Sequence, residues 1–117
     1  MITVILNAYK RLKYLNRQIE AINNQSIKPT EIIVWQNGTP ERQILKLNSN
    51  IKHIYSSYNF GVWSRFSVAL NSKNEFICVF DDDTIPGKNW IKNCLQTMEE
   101  YEGLLGARGV RFASKKK

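Results

Sequence analysis

The sequence has few of the residues that define special classes of chain. Its 117 residues include only two Cys, three Pro and six Gly. The cysteines, Cys78 and Cys94, set no disulfide framework, and neither has a partner at zinc-ligand spacing. Cys78 sits in an apolar run and Cys94 on an apolar helical stripe, so both are expected to be buried thiols. So little Gly and Pro excludes collagen-like and low-complexity chains, and a hydrophobic content of 43% excludes a disordered one. Long apolar runs are missing as well. Ile32 to Trp35 and Phe76 to Phe80 fall far short of a bilayer span. At the N-terminus, Ile2 to Leu6 precedes Lys10, Arg11, Lys13 and Arg17, the reverse of the order in a secretory signal. Acids are scarce, ten against 17 Lys and Arg, for a net charge of +7. Lys115 to Lys117 carry part of that surplus and the rest is scattered, so no basic stripe points to a specific nucleic acid. The same surplus suits a polyanionic small ligand or an anionic membrane surface. A soluble, cytoplasmic single domain is expected, with peripheral membrane association left open.

What is present is a regular change of hydrophobic period. Ile2 to Leu6 is a β-branched apolar run and predicts a buried strand. Leu12, Leu15, Ile19 and Ile22 then step by three and four, one face of a helix from about Lys10 to Asn24, which Pro29 cannot continue. Glu31 to Trp35 predicts a second buried strand, closed by the turn signal Asn37-Gly38. A short helix is expected at Thr39-Pro40, with Thr39 as N-cap and Pro40 in the first helical position. Ile51 to Tyr55 reads as a third strand. Gly61 to Leu70 reads as a helix buried through Val62, Phe66, Ala69 and Leu70. Glu75 to Phe80 is the fourth strand, and from Trp90 a last helix presents Ile91, Cys94, Leu95 and Met98. Residues 103–112 predict a further strand and loop.

Unbroken apolarity marks strands covered on both faces. Strands alternating with helices therefore argue a three-layer, Rossmann-like α/β sandwich with a mainly parallel sheet. Such sheets bind ligands at the carboxyl ends of their strands. The residues that follow each strand are then the informative ones: Asn7 to Arg11, Gln36 to Gly38, Ser56 to Gly61, and Asp81-Asp82-Asp83-Thr84.

The last of these is the sharpest feature. In an extended segment Asp81 and Asp83 point the same way, about 6–7 Å apart. At an effective dielectric of ~20 two such carboxylates repel by about 3 kcal/mol. A hard divalent cation with oxygen ligands would offset that repulsion. The competing reading makes Asp82 or Asp83 a helix cap with the rest facing water.

The stretch Phe76 to Trp90, with Asp81-Asp82-Asp83 at its centre, resembles the DxD region of GT-A fold glycosyltransferases, particularly the family-2-like enzymes. Ile2 to Arg11 is similar to that family's opening strand and its exit. Glu31 to Thr39 is similar to its second strand, and Asn59-Phe-Gly-Val-Trp-Ser-Arg65 resembles its Asn-x-Gly segment leading to an Arg-bearing helix. The resemblance covers about residues 1–112, a nucleotide-sugar-binding (donor) region, with 113–117 a basic tail.

The resemblance implies a role for each matched position. Asp83 would be the principal ligand of Mn²⁺ or Mg²⁺, the ion bridging a nucleotide-sugar's diphosphate. Asp81 or Asp82 would bond the ribose hydroxyls, with the other supporting the metal. Asn7, Tyr9 and Arg11 would line the nucleotide pocket, Tyr9 by packing on the base. Asn37 stands where the family has an acid facing the base, and its amide can pair with a pyrimidine edge; it is also a turn residue in its own right. Arg65 would meet the diphosphate with its planar guanidinium. The implied donor is a UDP- or dTDP-sugar first and a GDP-sugar second. A glycan or lipid-linked hydroxyl would accept the sugar, in polysaccharide, lipopolysaccharide or glycoprotein assembly. The family's general base lies later than Asp83, where only Glu99, Glu100 and Glu102 occur, so it is expected beyond Lys117, in a GT-A fold truncated at its C-terminal side. Trp63 and Trp90 are expected to pack in the core or at its rim, and His53 to be structural. A non-enzymatic basic module for nucleotides or polyanions is the alternative.

Overall fold

The structure, a computed structural model, describes residues 1–9, 12–40 and 43–106. Four strands form one all-parallel sheet: β1 (Ile2–Ala8), β2 (Glu31–Asn37), β3 (Lys52–Ser56) and β4 (Phe76–Phe80), in the order β3-β2-β1-β4. The helices are α1 (Leu15–Asn23), α2 (Ser64–Val68) and α3 (Trp90–Glu100), and α2 runs into a 3₁₀ turn at Ala69–Asn71. The α/β alternation and parallel sheet agree with the expectation. Among the described residues no helix is long and apolar enough to cross a membrane.

Side-chain alternation divides the core in two. Val4, Leu6, Ile32 and Val34 face one side, where Leu15 and Ile22 of α1 and Ile91 of α3 cover them. Ile5, Ile33 and Trp35 face the other, where α2 offers Val68. The central strands are buried almost end to end, as their unbroken apolarity predicts. The outer strands are not. Ile77 on β4 is 40% exposed; among the described residues β4 pairs with β1 alone and stands at the edge of the sheet. Cys78 and Cys94 share this incomplete cover and are half-buried rather than buried. Burial still pushes the Cys78 thiol up to about 11 and raises Cys94.

Several boundaries differ from the expected ones. α1 begins at Leu15, with Tyr14 as an N-cap that makes no side-chain bond. None of residues 10–14 is the Ser, Thr, Asp or Asn that would fix an earlier start; Leu12 nonetheless packs on the core ahead of the helix. The short helix expected from Thr39 falls partly on Glu41 and Arg42, outside the described residues, though Gln43 N–H bonds the Pro40 carbonyl at 2.8 Å. Residues 103–106 form no strand, and 107–117, including the basic tail, lie outside the described residues.

The largest correction concerns α2. Its sheet-facing positions are Ser64, Val68 and, beyond its end, Ser72. Ser64 Oγ accepts Trp35 Nε1–H at 3.0 Å, and Ser72 Oγ donates to Thr3 Oγ1 at 2.6 Å. The expected buried stripe is turned outward, with Val62 67%, Phe66 46% and Leu70 88% exposed; only Ala69 packs inward. The helix also starts three residues late, because Gly61 has φ +82° and is held as a loop.

Candidate functional site

The strand order places a topological switch between β1 and β4. From β1 the chain moves to β2 and β3, and then returns across the sheet to β4. Ligands of open parallel sheets bind at the carboxyl ends of the strands beside such a switch. Asn7, on β1, bridges it: its Nδ2–H donates to the Phe80 carbonyl at 2.8 Å, a buried bond. Above this edge lies a cleft of about 200 Å³, lined among others by Asn7, Tyr9, Trp35, Asn37, Asn59 and Arg65.

Asn37 builds the β2 end of the cleft. Its Nδ2 donates to Asn59 Oδ1 at 3.2 Å and to the Gly61 carbonyl at 3.3 Å, and its Oδ1 accepts Phe60 N–H at 2.9 Å. One buried amide thus fixes three consecutive residues of the loop after β3. Gly38, at φ +71°, permits this approach: a Cβ there would sit 2.8 Å from Asn59 Cβ. Asn59 continues the chain of contacts, accepting Gly61 N–H at 2.9 Å and donating to the Tyr9 hydroxyl at 3.1 Å. Asn59 is thus a site residue beyond those expected from the sequence. Its signal was the Asn-x-Gly spacing, since an Asn side chain closes a turn onto the N–H two residues later.

Arg65 ends the cleft on the side of β4. Its Nε–H donates to the Val62 carbonyl at 2.9 Å, and its Nη1 is paired with the Asp81 carboxylate. The guanidinium expected to face a diphosphate therefore has an acidic partner, and Asp81, expected at a ribose or a metal, has a basic one. Asn7, Tyr9, Asn37, Arg65 and Asp81 are brought to one edge. Arg11 lies outside the described residues. Trp63 is 79% exposed and leans on Phe66 with ring centroids 5.7 Å apart, while Trp90 packs against Phe80 inside the core.

The acidic triplet does not continue the strand. Thr84 N–H bonds the Asp81 carbonyl at 3.3 Å, closing a turn over Asp82 and Asp83. Asp81 and Asp83 therefore do not lie on the extended backbone that would point them the same way. Among the described residues no three His, Cys, Asp or Glu side chains form a cation cage. The oxygen donors still fit a hard ion that arrives with its ligand, because Mg²⁺-type sites commonly use one or two protein carboxylates and complete the shell with substrate phosphates.

His53 serves the scaffold, as expected: its Nε2 meets Gln36 Oε1 at 2.9 Å, and burial lowers its pKa. The other residue missed from sequence is Gln18 on α1, 1% exposed, which donates to the Asp81 and Thr84 carbonyls at 2.6 and 2.8 Å. Its place between Leu15 and Ile22 puts it on the buried face of α1, but the local pattern does not say what it bonds.

This arrangement matches known proteins. The description of glycosyl transferase family 2 fits residues 3–117, nearly the whole chain. The chain belongs to glycosyl transferase family 2. It is 28% identical over 109 residues to an uncharacterized glycosyltransferase of Haemophilus influenzae, a match that covers 87% of this chain and 34% of that protein. It is also similar to S. aureus TarS, at 22% identity and TM-score 0.65 over 99% of this chain and 24% of TarS. TarS 1-349 in complex with UDP gives TM-score 0.66 at 20% identity, over 99% of this chain and 39% of that one. Its complex with UDP-GlcNAc gives 0.66 at 19%, over 99% and 38%. Likeness at that identity shows the shared GT-A fold. The family-2 chain spans about a third of the length of the curated relative it matches.

Proposed function

We propose that this chain is the donor-binding part of a metal-dependent glycosyltransferase that takes a nucleotide-diphosphate sugar, UDP-linked in the first instance. The observation that carries the reading is the cleft above the carboxyl ends of β1 and β2, bounded by Arg65, whose guanidinium pairs with Asp81 of the acidic turn. The complexes of TarS with UDP and UDP-GlcNAc support uridine as the base. Tyr9 and Asn37 would bound the nucleoside, and Asn37, whose amide holds the loop, would act on the base through the wall it builds. Arg65 would turn from Asp81 toward the diphosphate. Asp83, with Asp82 beside it, would hold Mn²⁺ or Mg²⁺, which supplies charge neutralisation at the leaving diphosphate. An acceptor hydroxyl would approach along the groove between β4 and α3, which is lined by Asp81 and shares Arg65 with the cleft.

Thermal unfolding with UDP, dTDP and GDP, each with and without Mn²⁺, tests the reading. A ligand at a hundred times its Kd stabilises by about 2.7 kcal/mol, a readily measured rise in Tm. UDP with Mn²⁺ is expected to give the largest rise, and Asp83→Asn to remove the Mn²⁺-dependent part. Stabilisation by any polyanion, sensitive to salt and indifferent to Mn²⁺, would contradict it in favour of a basic binding module.

A further inference from the structure

The connection from β4 to α3 carries the acidic turn, and α1 holds it in place. Two glutamines seven residues apart, Gln18 and Gln25, lie on one face of the helix and its C-terminal end, 1% and 2% exposed. A buried carboxamide is costly unless its hydrogen bonds are made, and both donate to main-chain carbonyls of this connection, Gln25 also to Ala21 of its own helix. Gln25 Nε2–H donates to the Gly87 carbonyl at 2.7 Å, and its Oε1 accepts Ile91 N–H at 3.1 Å, fixing the entry to α3. Gln18 Nε2 instead reaches the Asp81 carbonyl at 2.6 Å and the Thr84 carbonyl at 2.8 Å. Those are the first and last residues of the acidic turn.

We propose that Gln18 is a positioning residue for the acidic turn, setting through its backbone where the Asp82 and Asp83 carboxylates meet a cation-bound nucleoside diphosphate. This rests on the donor-binding reading given above. Gln18 does not line the cleft, so it acts on the turn through the two carbonyls. With both ends tethered to one nitrogen, the turn cannot widen or rotate without breaking one of these bonds. Few side chains can do this. Glutamine places two N–H groups on a single atom at this reach. Glutamate has no donor when ionised, asparagine is one methylene short, and methionine keeps the shape without an N–H. The arrangement divides the work: Gln18 governs the turn, and Gln25 governs the helix that follows.

The test compares the full chain as wild type, Gln18→Met and Gln25→Met, with UDP and Mn²⁺ as probes. UDP affinity is measured by calorimetric titration with and without Mn²⁺, at a temperature where circular dichroism shows each protein folded. Removing a group behind a metal ligand typically weakens metal affinity by about 10- to 100-fold. Gln18→Met is expected to weaken UDP binding by that factor in Mn²⁺ and to change it little without metal, so the gain from Mn²⁺ collapses. Gln25→Met is expected to lower Tm and leave that gain intact. Where Gln18→Met does not fold, Gln18→Asn is read in the same way. A Gln18 variant that retains the wild-type gain overturns the inference, and so does an equal loss in Gln25→Met. Wild-type protein that binds no UDP in Mn²⁺ overturns the donor-binding reading itself.

Discussion

At the β2 end of the cleft, Asn37 turns its own amide into the site and closes three hydrogen bonds on the loop 59–61. At the β4 end, the turn Asp81–Thr84 is held from behind by its carbonyls. The first wall is set by side-chain contacts within the cleft, which leaves it little freedom of shape. The second is fixed in position while Asp81 and Asp83 remain exposed. The contrast matches the two parts of a nucleotide. A base is recognised by shape and by a few fixed donors and acceptors, whereas a diphosphate with its cation needs charge that can rearrange as it binds.

The change with the largest expected effect breaks the first wall. Gly38→Ala would force an L-side chain into φ +71° and a Cβ to 2.8 Å from Asn59 Cβ, at a cost of about 2–3 kcal/mol; urea unfolding measures it as a lower midpoint. Next comes Asn37→Ala. It leaves the Phe60 N–H without its partner and takes one bond from the Gly61 carbonyl, which still accepts the Ser64 hydroxyl, for a loss of about 1–2 kcal/mol in the same assay. Both changes are expected to weaken uridine and UDP binding alike.

Arg65→Ala should separate the two walls. The pair with Asp81 is partly exposed, so its loss is expected to change stability by less than about 1 kcal/mol. UDP affinity in Mn²⁺ should nevertheless fall by about tenfold, the loss of one charge-assisted contact worth roughly 1.5 kcal/mol, with uridine affinity unchanged. The smallest effect lies beneath the first wall. Burial holds the His53 pKa below its ordinary 6.5, so the folded protein takes up that proton less readily than the unfolded chain. Stability from this group is complete above about pH 6.5 and is lost as pH falls through the lowered value. Comparing urea midpoints at pH 7.5 and 5.5 should show a small decline on acidification that His53→Gln reduces.

Much of this plan was legible in the sequence, because β1 and β2 are built on apolar, β-branched runs and carry polar residues at their carboxyl ends. The α2 region misled for a physical reason. Hydrophobic periodicity identifies the apolar stripe of a helix, yet here Ser64 and Ser72 find hydroxyl and indole partners on the sheet and face inward in its place. The acidic triplet was visible, but its geometry was not, since an extended backbone was assumed where a turn closes onto the Asp81 carbonyl. The spacing of Gln18 with Leu15 and Ile22 marks a buried position, but the partners of Gln18 and Gln25 lie more than 60 residues away in the chain, and no local pattern encodes a contact of that range.

The division between the two walls is tested most directly by titrating uridine and UDP separately, each with and without Mn²⁺. The two walls predict that uridine binds weakly and indifferently to Mn²⁺, whereas UDP binds more tightly once Mn²⁺ is present. Uridine affinity that depends on Mn²⁺ as strongly as UDP affinity does, or UDP affinity unmoved by the metal, would contradict it.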